Sequence, residues 1–106
     1  MISTHILDTH LGKPAPDVVV RLFSEDGCLI TEAKTNTDGR VSDFGMIDLK
    51  TGVYSLEFFT SAYFENLGLE TFFPKAVIHF YMKDASQHFH IPLLISPFAY
   101  STYRGS

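Results

Sequence analysis

Asp17-Val18-Val19-Val20-Arg21-Leu22-Phe23 is the stretch whose reading decides the fold. Val18, Val20 and Leu22 fall on one face and Val19, Arg21 and Phe23 on the other, the period-two pattern of a strand with one buried side. Glu25-Asp26-Gly27 follows as a hairpin turn, and Cys28 to Thr35 reads as the returning strand. The same pattern extends in both directions. Upstream, Thr4 to Leu7 reads as a strand ended by the turn Gly12-Lys13-Pro14-Ala15-Pro16. Downstream, Asn36-Thr37-Asp38-Gly39 turns into a short segment from Arg40 to Phe44, and Gly52 introduces a strand from Val53 to Phe58. Lys75 to Met82, His88 to Ile95 and Phe98 to Tyr103 complete the set, separated by Lys83-Asp84-Ala85-Ser86 and by Ser96-Pro97. One segment departs from the pattern: Thr60 or Ser61 can cap a short helix to Asn66 or Leu67, with Gly68 at its left-handed end. About eight short strands with one helix predict an all-β fold, a two-sheet antiparallel sandwich.

Composition narrows the function classes. A chain of 106 residues supports one ordinary core, so residues 1–106 are expected to form a single domain. With 45% hydrophobic and 14% aromatic residues, it is too apolar to be disordered. The net charge of −4 is spread over interspersed acids and bases, leaving no basic patch for nucleic acid and no cationic amphipathic segment for a membrane. Met1-Ile2-Ser3-Thr4-His5 carries neither a positive start nor a long apolar run, so no secretory signal is expected. The lone Cys28 excludes an internal disulfide and reads as an inert buried thiol. A cytoplasmic location is the expectation, supported by the lack of a Ser-Lys-Leu ending, with the periplasm open if a leader has been removed.

The polar residues concentrate in a few places. In His88-Phe89-His90-Ile91-Pro92-Leu93-Leu94-Ile95, the odd-numbered apolar residues form a buried side, and His88, His90, Pro92 and Leu94 lie opposite. That second face is less charged than a solvated sheet surface and suits an interface or a pocket. Pro92 cannot donate to a ladder, which predicts an edge or bulged position. His79, among Val77, Ile78, Phe80 and Tyr81, reads as a packed, hydrogen-bonded residue. Strand histidines are ordinarily surface residues, and Arg40 after Asp38-Gly39 is ordinarily a solvated turn cation. His88 and His90 on one face, with His5 and either Asp8 or His10, supply a conceivable zinc ligand set, but the spacing matches no strong zinc pattern. Asp43-Phe44-Gly45 copies a kinase triplet in a chain with no glycine-rich loop to accompany it. The ending Tyr103-Arg104-Gly105-Ser106 carries a guanidinium, a hinge-permissive glycine and a hydroxyl beside the terminal carboxylate, which makes sense if the tail is docked in a site.

Taken together, several blocks resemble one family. Ser3-Thr4-His5-Ile6-Leu7-Asp8-Thr9, Gly12-Lys13-Pro14-Ala15, Thr37-Asp38-Gly39-Arg40, His88 to Leu94 and Tyr103-Arg104-Gly105-Ser106 are similar to the 5-hydroxyisourate hydrolases, the purine-catabolic branch of the transthyretin-like proteins. Gly52-Val53-Tyr54 and Ser96 to Thr102 also resemble transthyretin itself and bear on the fold rather than the activity. The resemblance implies eight strands in two sheets with one helix, and a homotetramer built as a dimer of dimers around a central channel. It implies that His5, Arg40, His90 and Ser106 are catalytic, and that Tyr103, Arg104 and Gly105 help bind the small-molecule substrate. It implies opening of the six-membered ring of 5-hydroxyisourate, in urate degradation, without metal or cofactor. Imidazoles titrate near neutrality and suit the base and acid tasks, while a guanidinium suits a carbonyl or anionic edge. The competing expectation is a non-catalytic carrier that takes a small aromatic anion in the same channel. A third is a plain β-sandwich interaction module with histidines on its surface.

Overall fold

Strand alternation sorts the side chains into two stacked sheets in the computed structural model, which describes residues 1–45 and 48–106. The elements run β1 (Ile2–Asp8), β2 (Lys13–Pro14), β3 (Val19–Ser24), β4 (Leu29–Lys34), β5 (Arg40–Val41), β6 (Gly52–Phe58), α1 (Thr60–Asn66), β7 (Ala76–Met82), β8 (Phe89–Ser96) and β9 (Ala99–Thr102). One sheet has the order β2-β1-β8-β9, with β5 also pairing to β1, and the other has the order β4-β3-β6-β7. Inward-facing Ile6, Val20, Leu22, Leu56, Phe58, Leu93 and Ile95 meet between them, each fully buried or within 1% of it. Burying a side chain of this size contributes about 1.5–3 kcal/mol relative to leaving it exposed. The faces predicted for residues 17–23 and 88–95 are those observed: Val18, Val20 and Leu22 are buried, as are Phe89, Ile91, Leu93 and Ile95.

Several local expectations are corrected. The ladder between β1 and β8 is parallel, from Ile2↔Phe89 to Asp8↔Ile95, so the sandwich is antiparallel only in its other pairings. Among the described residues there are nine strands, the additional one being Lys13–Pro14 inside the expected turn. Pro14 is tolerated there because β2 is an edge and its missing N–H breaks no ladder. Pro92 lies in an interior strand rather than at an edge. It sits where the ladder to β9 lapses, between Leu93↔Thr102 and the isolated bridge His90↔Gly105, and its carbonyl accepts from Thr102 Oγ1 at 2.7 Å.

Phe59 rather than Thr60 or Ser61 precedes the helix, without a side-chain cap, and Gly68 closes it at φ +73°. His79 is exposed, because alternation along β7 turns it away from Ile78 and Phe80, which pack on the core. Cys28 is exposed in the β3–β4 hairpin, not buried.

Candidate active site

The outer face of the β2-β1-β8-β9 sheet carries the polar cluster, and the ladder registers dictate its composition. Period two places Ser3 and His5 outward while Ile2, Thr4 and Ile6 are buried. The parallel register then sets Ser3 beside His90 and His5 beside Pro92. On the other edge of β1, the antiparallel pairing to β5 sets His5 opposite Arg40. Three separate stretches of sequence thus converge within two rungs.

The turn before β5 makes Arg40 reach that position. Asn36 Oδ1 accepts from the backbone N–H groups of Asp38 at 2.9 Å and Arg40 at 3.0 Å. Gly39 sits at φ +72°, and its carbonyl accepts from Ile6 N–H at 2.8 Å. A Cβ at residue 39 would lie 2.6 Å from the Ile6 carbonyl oxygen, so only glycine lets the turn lie this close against β1.

The tail completes the cluster from the opposite side. Gly105 N–H donates to the His90 carbonyl at 2.9 Å. Gly105 does not use the left-handed backbone region; its requirement is space, since a Cβ there would lie 2.4 Å from His90 Cδ2 and 3.1 Å from Pro92 Cγ. The hinge expected of this glycine is therefore a close-approach position. Arg104 is turned away, donating to Gln87 Oε1 at 3.2 Å with its guanidinium 5.0 Å from the centre of the Phe89 ring. It anchors the tail.

Two depressions result. One of about 210 Å³ is lined by Ser3, Thr4, Arg40, Ser42, His88, His90 and Ser106. A second, of about 300 Å³, lies between β7 and the tail and is lined largely by apolar groups, with Tyr103, Arg104 and one side of His90. The structure therefore brings Arg40, His90 and Ser106 together, with His5 adjoining through Arg40. It places Tyr103 and Arg104 on the neighbouring depression. Asp8 does not join His5: it faces inward, fully buried, and accepts from Tyr63 Oη at 2.7 Å and from the backbone N–H groups of His10 and Leu11. His10 is exposed in the following turn.

Electrostatics tie the cluster together. Burial lowers the pKa of His90 below the ordinary imidazole value of 6.5, and the positive charges of Arg40, His88 and His5 lower it further. Burial is also the main cause for His5, followed by Arg40, with Asp38 pulling weakly the other way. Both imidazoles are thereby held neutral near pH 7, able to accept a proton. His5 Nε2 is buried without a hydrogen-bond partner among the described residues, an unmet polar atom at the rim of the site.

Ser3 is the member of the cluster that sequence reasoning passed over. Its Oγ lies 2.7 Å from His88 Nε2 and 2.8 Å from His90 Nδ1, so it joins the two histidines. Alternation along β1 places Ser3 on the His5 face, but its contact with His90 follows only from the parallel register.

A sandwich whose outer sheet face holds two neutral imidazoles, an arginine and a docked chain end has the chemistry of a hydrolytic site. The HIUase/Transthyretin family model matches residues 2–105, and the chain belongs to that family. The 5-hydroxyisourate hydrolase of Caulobacter vibrioides is 43% identical over 112 residues, covering 99% of this chain and 97% of the relative. The structure of Klebsiella pneumoniae 5-hydroxyisourate hydrolase superposes with a TM-score of 0.90 at 42% identity, covering 99% of this chain and 98% of that one. Sea bream transthyretin, solved with thyroxine, superposes with a TM-score of 0.88 at 30% identity, over 98% of this chain and 93% of that one.

Proposed function

We propose that this chain is an enzyme that hydrolyses 5-hydroxyisourate at its N1–C6 bond, yielding 2-oxo-4-hydroxy-4-carboxy-5-ureidoimidazoline. The observation that carries the reading is the docking of the tail onto His90, which brings Ser106 into one depression with Arg40 and His90. The reaction needs an activated water, a place for the developing oxyanion and a proton for the departing ring nitrogen. A neutral imidazole, His90 or His5, takes the proton from water as its oxygen attacks C6. The Arg40 guanidinium, a fork of donors with a permanent charge, binds the carbonyl edge and stabilises the negative charge that develops there. The imidazolium so formed returns its proton to N1 as the C6–N1 bond breaks. His5 Nε2, without a hydrogen-bond partner among the described residues, gains one when substrate binds. Ser106 orients the histidines or the water, and Gly105 permits its approach.

The site lies on a sheet face rather than in a closed cavity, which supports assembly of copies of this chain face to face around a shared channel. The homotetramer belongs to the proposal on that ground, and light scattering on the purified protein checks it. The carrier reading draws on the apolar depression between β7 and the tail and on the transthyretin likeness. It leaves the clustered, pKa-lowered histidines without a task. The discriminating experiment mixes purified protein with freshly generated 5-hydroxyisourate and follows its ultraviolet absorbance against the spontaneous decay. Catalysed loss supports the hydrolase; loss at the spontaneous rate refutes it.

A further inference from the structure

We infer that Ser3 is a positioning residue for His90 and the middle link of a proton path from His90 to the exposed imidazole of His88. The inference rests on the hydrolase reading and deepens it. A serine hydroxyl has one proton to give, and Ser3 Oγ lies within hydrogen-bond distance of two imidazole nitrogens, His88 Nε2 at 2.7 Å and His90 Nδ1 at 2.8 Å. With both rings neutral, one nitrogen accepts the hydroxyl proton and the other must carry its own proton and donate to Oγ. The two rings are therefore coupled through a single oxygen.

In one arrangement His90 donates from Nδ1 to Ser3, and Ser3 donates to His88. His90 Nε2 then bears the lone pair, the form a base requires. When Nε2 takes a proton from water, a second transfer becomes available. The Nδ1–H bond breaks as a new Oγ–H bond forms, and the old Oγ–H bond breaks as His88 Nε2–H forms. His90 is left neutral with its proton on Nε2, and the positive charge resides on His88 until Nε2 gives its proton to N1 and the two transfers run in reverse, restoring Nδ1–H. Ser3 ends as it began, with one proton. The path has a direction: Ser3 is buried, His90 is half-buried and His88 is exposed, so the charge ends where water solvates it. The other groups around His90 oppose its protonation in place: Arg40 from β5 and His5 from β1.

Four variants of this chain test the inference with 5-hydroxyisourate: Ser3→Ala, Ser3→Thr, His88→Gln and the Ser3→Ala/His88→Gln double variant. The His88→Gln change keeps a side chain able to bond Ser3 but unable to carry a proton, and position 88 is exposed, so folding is undisturbed. The expected result is a fall in kcat of about ten-fold or more in Ser3→Ala and in His88→Gln, part of the 10²–10⁴ that a positioned proton-transfer group supplies. KM stays near wild type, and the double variant is no worse than the lower single one. Ser3→Thr, which keeps a hydroxyl, restores most of the loss. Wild-type kcat in either Ser3→Ala or His88→Gln overturns the path, as do additive losses in the double variant. An inactive wild-type protein overturns the hydrolase reading instead.

Discussion

Gly105→Ala subjects the site to a defined mechanical test. The added Cβ would sit 2.4 Å from His90 Cδ2, 3.1 Å from His90 Cγ and 3.1 Å from Pro92 Cγ. Carbon atoms settle about 3.5–4.0 Å apart, so the ring edge or the tail must move by roughly 1 Å. Neither can do so without loss. Turning the imidazole stretches its 2.8 Å bond to Ser3, and lifting the tail breaks the 2.9 Å bond from Gly105 N–H to the His90 carbonyl. A displacement of about 1 Å at a reacting group can cost about 100-fold in rate. At about 1.36 kcal/mol per decade, that is about 2.7 kcal/mol of transition-state stabilisation. Stability should fall only modestly, by about 1 kcal/mol, because lifting the half-buried Gly105 costs the single bond that ties the tail to His90. The assay compares kcat/KM from the ultraviolet decay of fresh 5-hydroxyisourate with the thermal midpoint of the same preparation. Full activity in Gly105→Ala would refute the claim that the tail packs on a catalytic imidazole.

Other perturbations have equally definite outcomes. Replacing His90 or Arg40 by alanine lowers turnover by about 10²-fold or more with the circular dichroism spectrum unchanged, as expected for a proton-transfer or charge-stabilising group. Removing residues 103–106 abolishes activity while leaving the sandwich folded, since β9 ends at Thr102; thermal melting and turnover on the truncated protein check both halves. Activity should fall on acidification only below pH 6.5, because the lowered pKa values keep His5 and His90 neutral down to that range. Arg40→Gln removes a positive charge that disfavours both imidazolium forms, so the acid limb of the residual activity moves upward. The same two histidines bind fewer protons folded than unfolded. Their contribution to stability is present above pH 6.5 and is lost as pH falls from there through the lowered folded values; melting curves between about pH 5 and 7 read this directly. Tyr63→Phe strips a 2.7 Å donor from the fully buried Asp8 carboxylate and should cost about 1–3 kcal/mol in denaturant melts.

The sequence made the faces legible but not the neighbours. Alternation alone assigned Val18, Val20 and Leu22 inward and His88 and His90 outward, because each face is set by the local period. The same period is silent on strand direction, and the parallel β1–β8 pairing, which brings Ser3 to His90, went unread. Pro92 shows a related limit: a missing donor predicts an edge or bulged position, whereas the residue sits in an interior strand where the ladder to the tail lapses. The apolar neighbours of His79 point inward and the strand pattern at Cys28 suggests burial, but alternation turns His79 outward and the hairpin leaves Cys28 exposed. Arg40 was placed by the Asn36–Gly39 turn, a signal legible in the chain, but its pairing with His5 needed the fold. Of the tail, the motif was recognisable and the packing was not. Gly105 answers to an imidazole far upstream in the chain, a contact that no local pattern encodes.

The most direct test of the shared site is a crystal structure with urate, a planar purine of the same ring skeleton. The account predicts urate in the depression between Arg40 and His90, its carbonyl edge bonded to the guanidinium and a ring atom reaching His5 Nε2. Urate seated instead in the apolar depression between β7 and the tail, with Arg40 and His5 untouched, would contradict it and favour a carrier.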